Sequence, residues 1–596
     1  MSPERYTPQY LLTQAPRLFQ VARETDSFDD LRPRLRQVVH EKRDHALAHY
    51  DRVGRGLAIR IQDCDRVLDG MLRRRSERLA DFSLTRALRD LARGRPRPDL
   101  KPAFYADLLH LLWGLGGRVR FESPADEVMA PSERSGREAA IERSAQLDRL
   151  WGRMAEGLRR HPSGLEPESI ARRRARRERV RRALGASAEE WRDWRWHVRR
   201  VVRSARQMSM LTRLTEKERA GVEAANELGM PFGVTPYYAS LMDDEPSTRD
   251  RAVRAQVLPP ADYARELARK RRDDLAKLDF MREEDTSPID LITRRYPGIC
   301  ILKPFNTCPQ ICVYCQRNWE IDDVMAPQAL APRAKLDAAL AWIARHPAVR
   351  EVLLTGGDPL VMGDARLQHI VGRLAAIPSV ERIRIGTRTP ITMPMRITPE
   401  LAAMLGRHHE PGRREIAVVT HAQHAYEITP ETITAVSRLR GQGIGVYNQM
   451  VFTFFNSRRF EAAALRRVLR LAGIDPYYTF NMKGKDEMAD FRVPVARLLQ
   501  EQQEEARLLP GLARTDEPVY NVPGLGKHYL RARQNRDLLA ILPDGARVYE
   551  FHPWEKNITR GIRTYVGRDV PILEYLDNLA RMGEDPDRYG SVWYYF

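Results

Sequence analysis

From residue 299 onward, short apolar runs alternate with longer amphipathic stretches, and this alternation constrains the fold more than any other feature. The runs are ICILKPF, VREVLLTGG, VERIRIGTR, REIAVVTHA, IGVYNQMVF and PYYTFNM. Each has strand length and is bounded by turn or helix signals, and the stretches between them have apolar positions at helical spacing. Strands alternating with helices imply parallel βαβ units. The expectation is an α/β fold, a partial (β/α)6 TIM-like barrel over 299–545, with its chemistry at the C-terminal ends of the strands.

The rest of the chain is too long to share one ordinary core with that barrel. Residues 1–186 read as a helical, basic N-terminal domain: PQYLLTQAPRLFQVA and ADLLHLLWGLGG repeat at helical spacing. A loop is expected over 121–140, FESPADEVMAPSERSGREAA, and the charge run ARRRARRERVRR (171–182) reads as the solvated face of a helix. Residues 187–298 form a second helical segment packed on the barrel, and 546–596 a C-terminal extension. No apolar run has membrane-spanning length, and MSPERYTPQY lacks a secretory stretch, so the expected location is cytoplasmic. The formal net charge is +19. Arginine outnumbers lysine throughout the chain, which favours an arginine-rich proteome over one nucleic-acid patch.

The cysteines are Cys64, Cys300, Cys308, Cys312 and Cys315, too few and too clustered for a disulfide scaffold. Three of them occupy the loop TCPQICVYCQRN after the first barrel strand. Three thiolates leave one iron of a four-iron cluster open to a substrate. A structural zinc site normally takes four ligands, and no cysteine follows Cys315. Cys300, on the strand, reads as a small buried hydrophobe and Cys64 as inert.

The CxxxCxxC spacing, with Tyr314 before the last cysteine, resembles the signature of the radical S-adenosylmethionine (SAM) superfamily. The resemblance implies a [4Fe–4S] cluster on Cys308, Cys312 and Cys315, and SAM as ligand of the open iron. After the second strand, Thr355, Gly356, Gly357 and Asp358 look like the superfamily's contact to the SAM amino group. From WRDWRWHVRR onward the chain resembles the lysine 2,3-aminomutase family more narrowly. The shared stretches include TPYYASL, RRYPG, TGGDPL, IRIGTRTPITMPMRIT, THAQHAYEIT, YNQ, DFRVPV and NVPGLGK. They cover about 190 to 545.

That resemblance implies pyridoxal 5′-phosphate (PLP) and a shift of an amino group from the α to the β carbon, an isomerase reaction in which the cofactors carry the difficult steps. Lys527 matches the catalytic lysine that holds PLP, and Arg295 a further PLP contact. Arg317 matches the arginine that grips the substrate carboxylate, and His424 and Gln449 match residues lining the cofactor sites. Two departures stand out: PGLG is shorter than the family's glycine-rich run, and Ile299 replaces a second arginine. The C-terminal cysteines that bind zinc in lysine-specific members are missing, so no zinc is expected.

Lysine-specific members hold the distant ammonium with two aspartates. The matching positions are Lys483 and Asn521, which would repel an ammonium and favour a carboxylate. The pair resembles glutamate 2,3-aminomutase and points to an acidic amino acid substrate. The expected partners are that small molecule, an electron donor such as flavodoxin or ferredoxin, and a second copy in a homo-oligomer, with no membrane and no nucleic acid. A competing class is a radical SAM enzyme that modifies RNA or a protein through its basic N-terminal domain; a non-catalytic scaffold is a third.

Overall fold

In the computed structural model, residues 5–48, 55–119, 134–273, 278–482, 486–553 and 564–596 are described. Its centre is a nine-stranded sheet whose strands lie in chain order. They are β1 (Ile292–Tyr296), β2 (Ile299–Phe305), β3 (Glu351–Gly356), β4 (Arg382–Gly386), β5 (Glu415–Thr420), β6 (Gly445–Phe452), β7 (Asp475–Asn481), β8 (Glu517–Val522) and β9 (Gly526–Tyr529). β2 through β8 run parallel; β1 and β9 close the ends as antiparallel partners of β2 and β8.

The six expected strands are β2 to β7. Helices such as Arg333–Ala344, Asp364–Ala375, Pro399–Gly406, Pro430–Arg440 and Glu461–Leu471 link them. Two of these helices start from the same local device, ITPE. Thr398 and Thr429 accept a backbone N–H from the first turn, proline follows at the first helical position, and a glutamate faces the positive helix end. Strand alternation sorts the side chains. Cys300, Leu302, Val352, Leu354, Ile383 and Ile385 are buried in the main core, while Ile301, Lys303, Leu353, Thr355, Arg384 and Gly386 on the same strands keep partial exposure.

The inner face brings distant strands together. Arg384 on β4 donates to the Tyr477 hydroxyl on β7 at 3.1 Å. Lys527 Nζ on β9 lies 5.3 Å from the centre of the Tyr296 ring on β1. At the N-terminal end of the strands, Arg382 bridges Glu351 (3.0 Å) and Glu415 (2.6 Å).

β10 (Arg536–Ile541), β11 (Arg547–Phe551) and β12 (Tyr565–Arg568) form a separate antiparallel sheet that runs across residue 546. Two expectations need correction. The main sheet has β1, β8 and β9 beyond the six strands expected: β1 pairs antiparallel with β2, and GLGK turns β8 back into β9. The charge run is not purely solvated. Within the helix Pro167–Ala183, Arg173 and Arg176 are buried. Arg173 donates to the Tyr426 carbonyl and lies 4.1 Å from that ring's centre. Arg176 donates to the carbonyls of Met242 (2.8 Å) and Leu211 (2.9 Å).

The N-terminal helices share the main core with the C-terminal residues. Asp107 pairs with Arg547 at 2.8 Å, both buried, and His110 stacks on Trp593 at 4.5 Å. Most of the expected 121–140 loop lies outside the described residues; a helix runs from Gly136 to Arg159. Among the described residues, no helix is long and apolar enough to cross a membrane.

Candidate functional site

The cysteine loop and the Thr355–Asp358 turn lie at the C-terminal ends of β2 and β3, Asn521 and Lys527 on the β8–β9 hairpin, and Arg295 on β1. Cys308, Cys312 and Cys315 sit in the loop after β2, each partly exposed. Burial, then the proximity of Asp358, Cys315 and Cys312, pushes the Cys308 thiol far above its ordinary pKa. Three cysteines that each disfavour the others' thiolates electrostatically are a poor arrangement for free thiolates and a suitable one for a shared metal centre.

The turn after β3 locks this loop in place. Gly357 donates its N–H to the Phe305 carbonyl (2.7 Å), and Asp358 donates to that of Thr307 (3.0 Å). Gly356 has φ +115°, and a Cβ on Gly357 would run into the Thr307 backbone, so both positions require glycine. The Asp358 carboxylate is buried and accepts from Thr387 Oγ1 (2.6 Å), Arg388 N (2.8 Å) and Leu360 N (3.2 Å). Burial raises its pKa against those donors. Asp358 therefore ties the β3 turn to the β4 turn.

Arg388, in that β4 turn, was not singled out in the sequence. It donates through Nη1 to Cys312 Sγ (2.9 Å) and through Nε to the His421 carbonyl (3.0 Å). Its Nη2 reaches Gln256, Glu427 Oε1 (2.9 Å) and the Tyr238 hydroxyl (3.3 Å). Glu427 also accepts from the Tyr238 hydroxyl (2.6 Å) and from the backbone N–H groups of Gln423 (2.6 Å) and His424 (3.0 Å). Burial alone would raise the Glu427 pKa, but Arg388 and these donors hold it below the usual carboxylate range. The signal was available in TRTP and HAYEIT, but only their three-dimensional meeting gives it meaning.

At the other end of the sheet, Asn521 and Lys527 are register partners in the β8–β9 hairpin. Gly524 and Gly526 supply the positive φ of its tight turn. Lys527 Nζ lies between the Tyr296 and Tyr478 rings, 5.3 and 5.2 Å from their centres. Neighbouring Arg295, on β1, belongs to a cage of cations around Glu283. Arg317 grips that carboxylate through Nη2 (2.6 Å) and Nε (3.2 Å); Lys303 Nζ is at 3.5 Å and Arg295 Nη2 at 3.7 Å. Burial opposes the Glu283 charge, but Arg317, Arg295 and Lys303 together depress its pKa. Lys303 and Glu283 were also missed. A lysine in ICILKPF reads as an interruption of an apolar run until alternation turns it inward.

His424 points elsewhere. Its Nε2 meets Glu461 Oε1 at 3.1 Å and its Nδ1 accepts from Tyr426 N, beside His161 of the N-terminal helices. His421, three residues earlier, is closer to the cysteine loop: Nε2 meets the Tyr314 hydroxyl at 2.9 Å and Nδ1 the Gln449 carbonyl. Burial, with Arg388 nearby, takes its pKa down to about 3, so it is neutral. Gln449 lies on β6 on the partly exposed face, as does Thr355 on β3. Lys483 lies outside the described residues.

The strand ends thus define an α/β protein with a three-thiol loop at one side of its site and a lysine hairpin at the other. No family model matches the chain. An uncharacterised KamA family protein from Methanocaldococcus jannaschii is 41% identical over 98% of this chain and 96% of its own length. The chain belongs to the KamA family. An L-lysine 2,3-aminomutase from Fusobacterium nucleatum is 34% identical over 52% of this chain and 69% of its own. A glutamate 2,3-aminomutase from Clostridioides difficile is 31% identical over 58% and 77%. The first relative thus matches nearly the whole chain, and the two aminomutases little more than half of it.

Proposed function

We propose that this protein is a radical SAM, PLP-dependent amino acid 2,3-aminomutase built on a partial (β/α) barrel, and that its substrate is an acidic amino acid such as L-glutamate. The observation that supports the reading is a chain of contacts: Arg317, two residues after the last cysteine of the three-thiol loop, shares Glu283 with Arg295, and Tyr296, next to Arg295 on β1, lies beside Lys527, the register partner of Asn521. The residues suit the implied groups. Three neighbouring thiols match a four-iron cluster with one open iron. Arg295 Nη2 is buried without a hydrogen-bond partner, as a phosphate contact would be before its ligand arrives, and Lys527 sits between two aromatic rings that can flank a pyridine ring.

When bound, the cluster and SAM supply the radical that removes a hydrogen from the substrate, and PLP holds the migrating nitrogen. The chain's own residues do the positioning. Cys308, Cys312 and Cys315 hold the cluster, while the Gly356–Gly357 turn, fastened by Asp358, fixes one wall of the SAM site. Arg317 offers its Nη1 edge to the substrate α-carboxylate while Glu283 anchors the opposite edge, a bidentate task that suits a planar guanidinium. Buried Arg388 donates to Cys312 and helps neutralise the negative charge gathered there. Positioning of this kind supplies much of an enzyme's rate.

The substrate preference rests on charge. Lys483 and Asn521 replace the acidic pair that would hold an ammonium, and Lys303 adds a further inward cation. With SAM, PLP and a reductant, glutamate should be turned over in preference to lysine, and Lys483→Ala should raise KM for glutamate. Preference for lysine, or an unchanged glutamate KM in Lys483→Ala, would sink the acidic-substrate reading while leaving the aminomutase chemistry intact.

A further inference from the structure

A second cavity, about 820 Å3 in volume, opens behind the lysine hairpin. The N-terminal helix Arg55–Met71 forms one wall, residues 502–514 another, and the aromatic stretch Tyr594–Phe596 a third. Pro518 and Leu530 of the hairpin also line it. Pro518 lies an odd number of residues from Asn521, so strand alternation turns the two to opposite faces; the cavity is separate from the site around Lys527.

Its lining is strongly one-sided in charge. Arg60, Arg507, Arg514, Arg531, Arg533 and Arg536 face it, against one acidic residue, Asp63, among the described residues. Asp63 is already engaged by Arg533. Arg536 is buried, at 7% exposure, and its guanidinium donates to the Leu530 carbonyl and, through Nε (3.2 Å) and Nη2 (2.6 Å), to the main-chain oxygen of Phe596, the last residue. Burial, with repulsion from Arg533 and Arg66, pulls its pKa down to about 10. Burial also lowers that of Arg60. Arg507 and Arg514 are exposed on the same lining and make no ion pair among the described residues, so their guanidinium donors are open to an incoming anion. The opposite wall is apolar and aromatic: Ile59 is 58% exposed, and Arg60 lies 5.6 Å from the centre of the Tyr594 ring. The volume falls within the roughly 300–1,000 Å3 of small-ligand sites.

We propose that this cavity is a regulatory site for a nucleotide-sized phosphorylated anion, its phosphates on the arginines and its ring against Tyr594 and Tyr595. Arg531 and Arg533 directly follow β9, and Arg60 and Asp63 belong to the N-terminal helix. A bound anion therefore fastens the N-terminal region to the hairpin that carries Lys527, which gives that region a role in setting the hairpin's position.

The test is isothermal titration of the full-length chain with ATP, and separately with inorganic pyrophosphate, at low salt. Arg507→Glu/Arg514→Glu is the informative variant, because both side chains are exposed and neither makes an ion pair among the described residues. Arg507→Gln/Arg514→Gln repeats the test with a milder change, and Arg295→Ala controls for anion binding at the strand ends. ATP should bind the wild type, and binding should weaken by about tenfold or more in both cavity variants, as expected when charge-assisted contacts are lost, while Arg295→Ala binds as wild type. Pyrophosphate should bind more weakly than ATP, since it leaves the aromatic wall empty. Failure of the wild type to bind ATP, or wild-type affinity in the cavity variants, would overturn the proposal.

Discussion

Replacing Arg388 with Met probes the joint on which the cysteine loop depends. The substitution keeps most of the buried stem and removes only the guanidinium. Five contacts are lost, to Cys312, His421, Glu427, Tyr238 and Gln256. The dominant effect comes from Glu427, which is fully buried and would keep its neutral donors but lose its cation. Breaking a buried pair from one side costs about 3–5 kcal/mol, because the remaining charge is stranded. The double variant Arg388→Met/Glu427→Gln removes that charge, so it should be more stable than Arg388→Met alone, with a coupling of about 1–3 kcal/mol. The pH dependence has a definite sign. Without Arg388 the folded pKa of Glu427 rises above its unfolded value, the folded state binds the extra proton, and the penalty shrinks as pH falls. Urea denaturation followed by tryptophan fluorescence, at neutral and mildly acidic pH, measures all three quantities. A loss below about 0.5 kcal/mol in Arg388→Met, at the level of ordinary surface changes, or a double variant no more stable than the single one, would refute the reasoning.

Other outcomes follow from the same structure. Gly357→Ala should prevent the β3 turn from closing on Thr307, so the reconstituted variant should hold far less iron than wild type; equal iron content would show that the turn does not support the loop. Borohydride reduction of the PLP-treated protein should label Lys527, and peptide mapping that finds the label on another lysine would displace the hairpin from the site. Burial lowers the pKa of His110 to about 3 and of His197 to about 4. The unfolded chain therefore takes up protons that the folded chain refuses below about pH 6.5, so stability falls as pH drops from neutral. His110→Phe should reduce the loss between pH 7 and pH 5 by about 2 kcal/mol, as read from urea midpoints; an unchanged loss would mean His110 does not titrate on unfolding.

How much of this could be read from the chain alone depended on whether the signal was local. β2 to β7 were legible because each carries a short run of apolar or alternating residues between helical stretches, and the cysteine loop because its spacing is itself the chemistry. β8 and β9 were not: EPVYNV holds a proline and GKHY has little apolar content, so their strand character comes from pairing with β7 and with each other. Lys527 and Asn521 were found through the motif, but only the hairpin register makes them neighbours. Arg388, Glu427 and Glu283 were missed for a shared reason. Each is an ordinary charged residue in the sequence, and its importance lies in a partner far along the chain. The arginine run of 171–182 failed the other way, since average polarity hid two arginines that turn inward to carbonyl groups.

The most direct measurement is NMR of isotopically labelled amino acids incubated anaerobically with reconstituted protein, SAM, PLP and dithionite. The account predicts transfer of the glutamate amino nitrogen from the α to the β carbon, accompanied by SAM cleavage, with both lost in Cys312→Ala. SAM cleavage without a β-amino product from any amino acid in the panel, or amino transfer that survives Cys312→Ala, would contradict it.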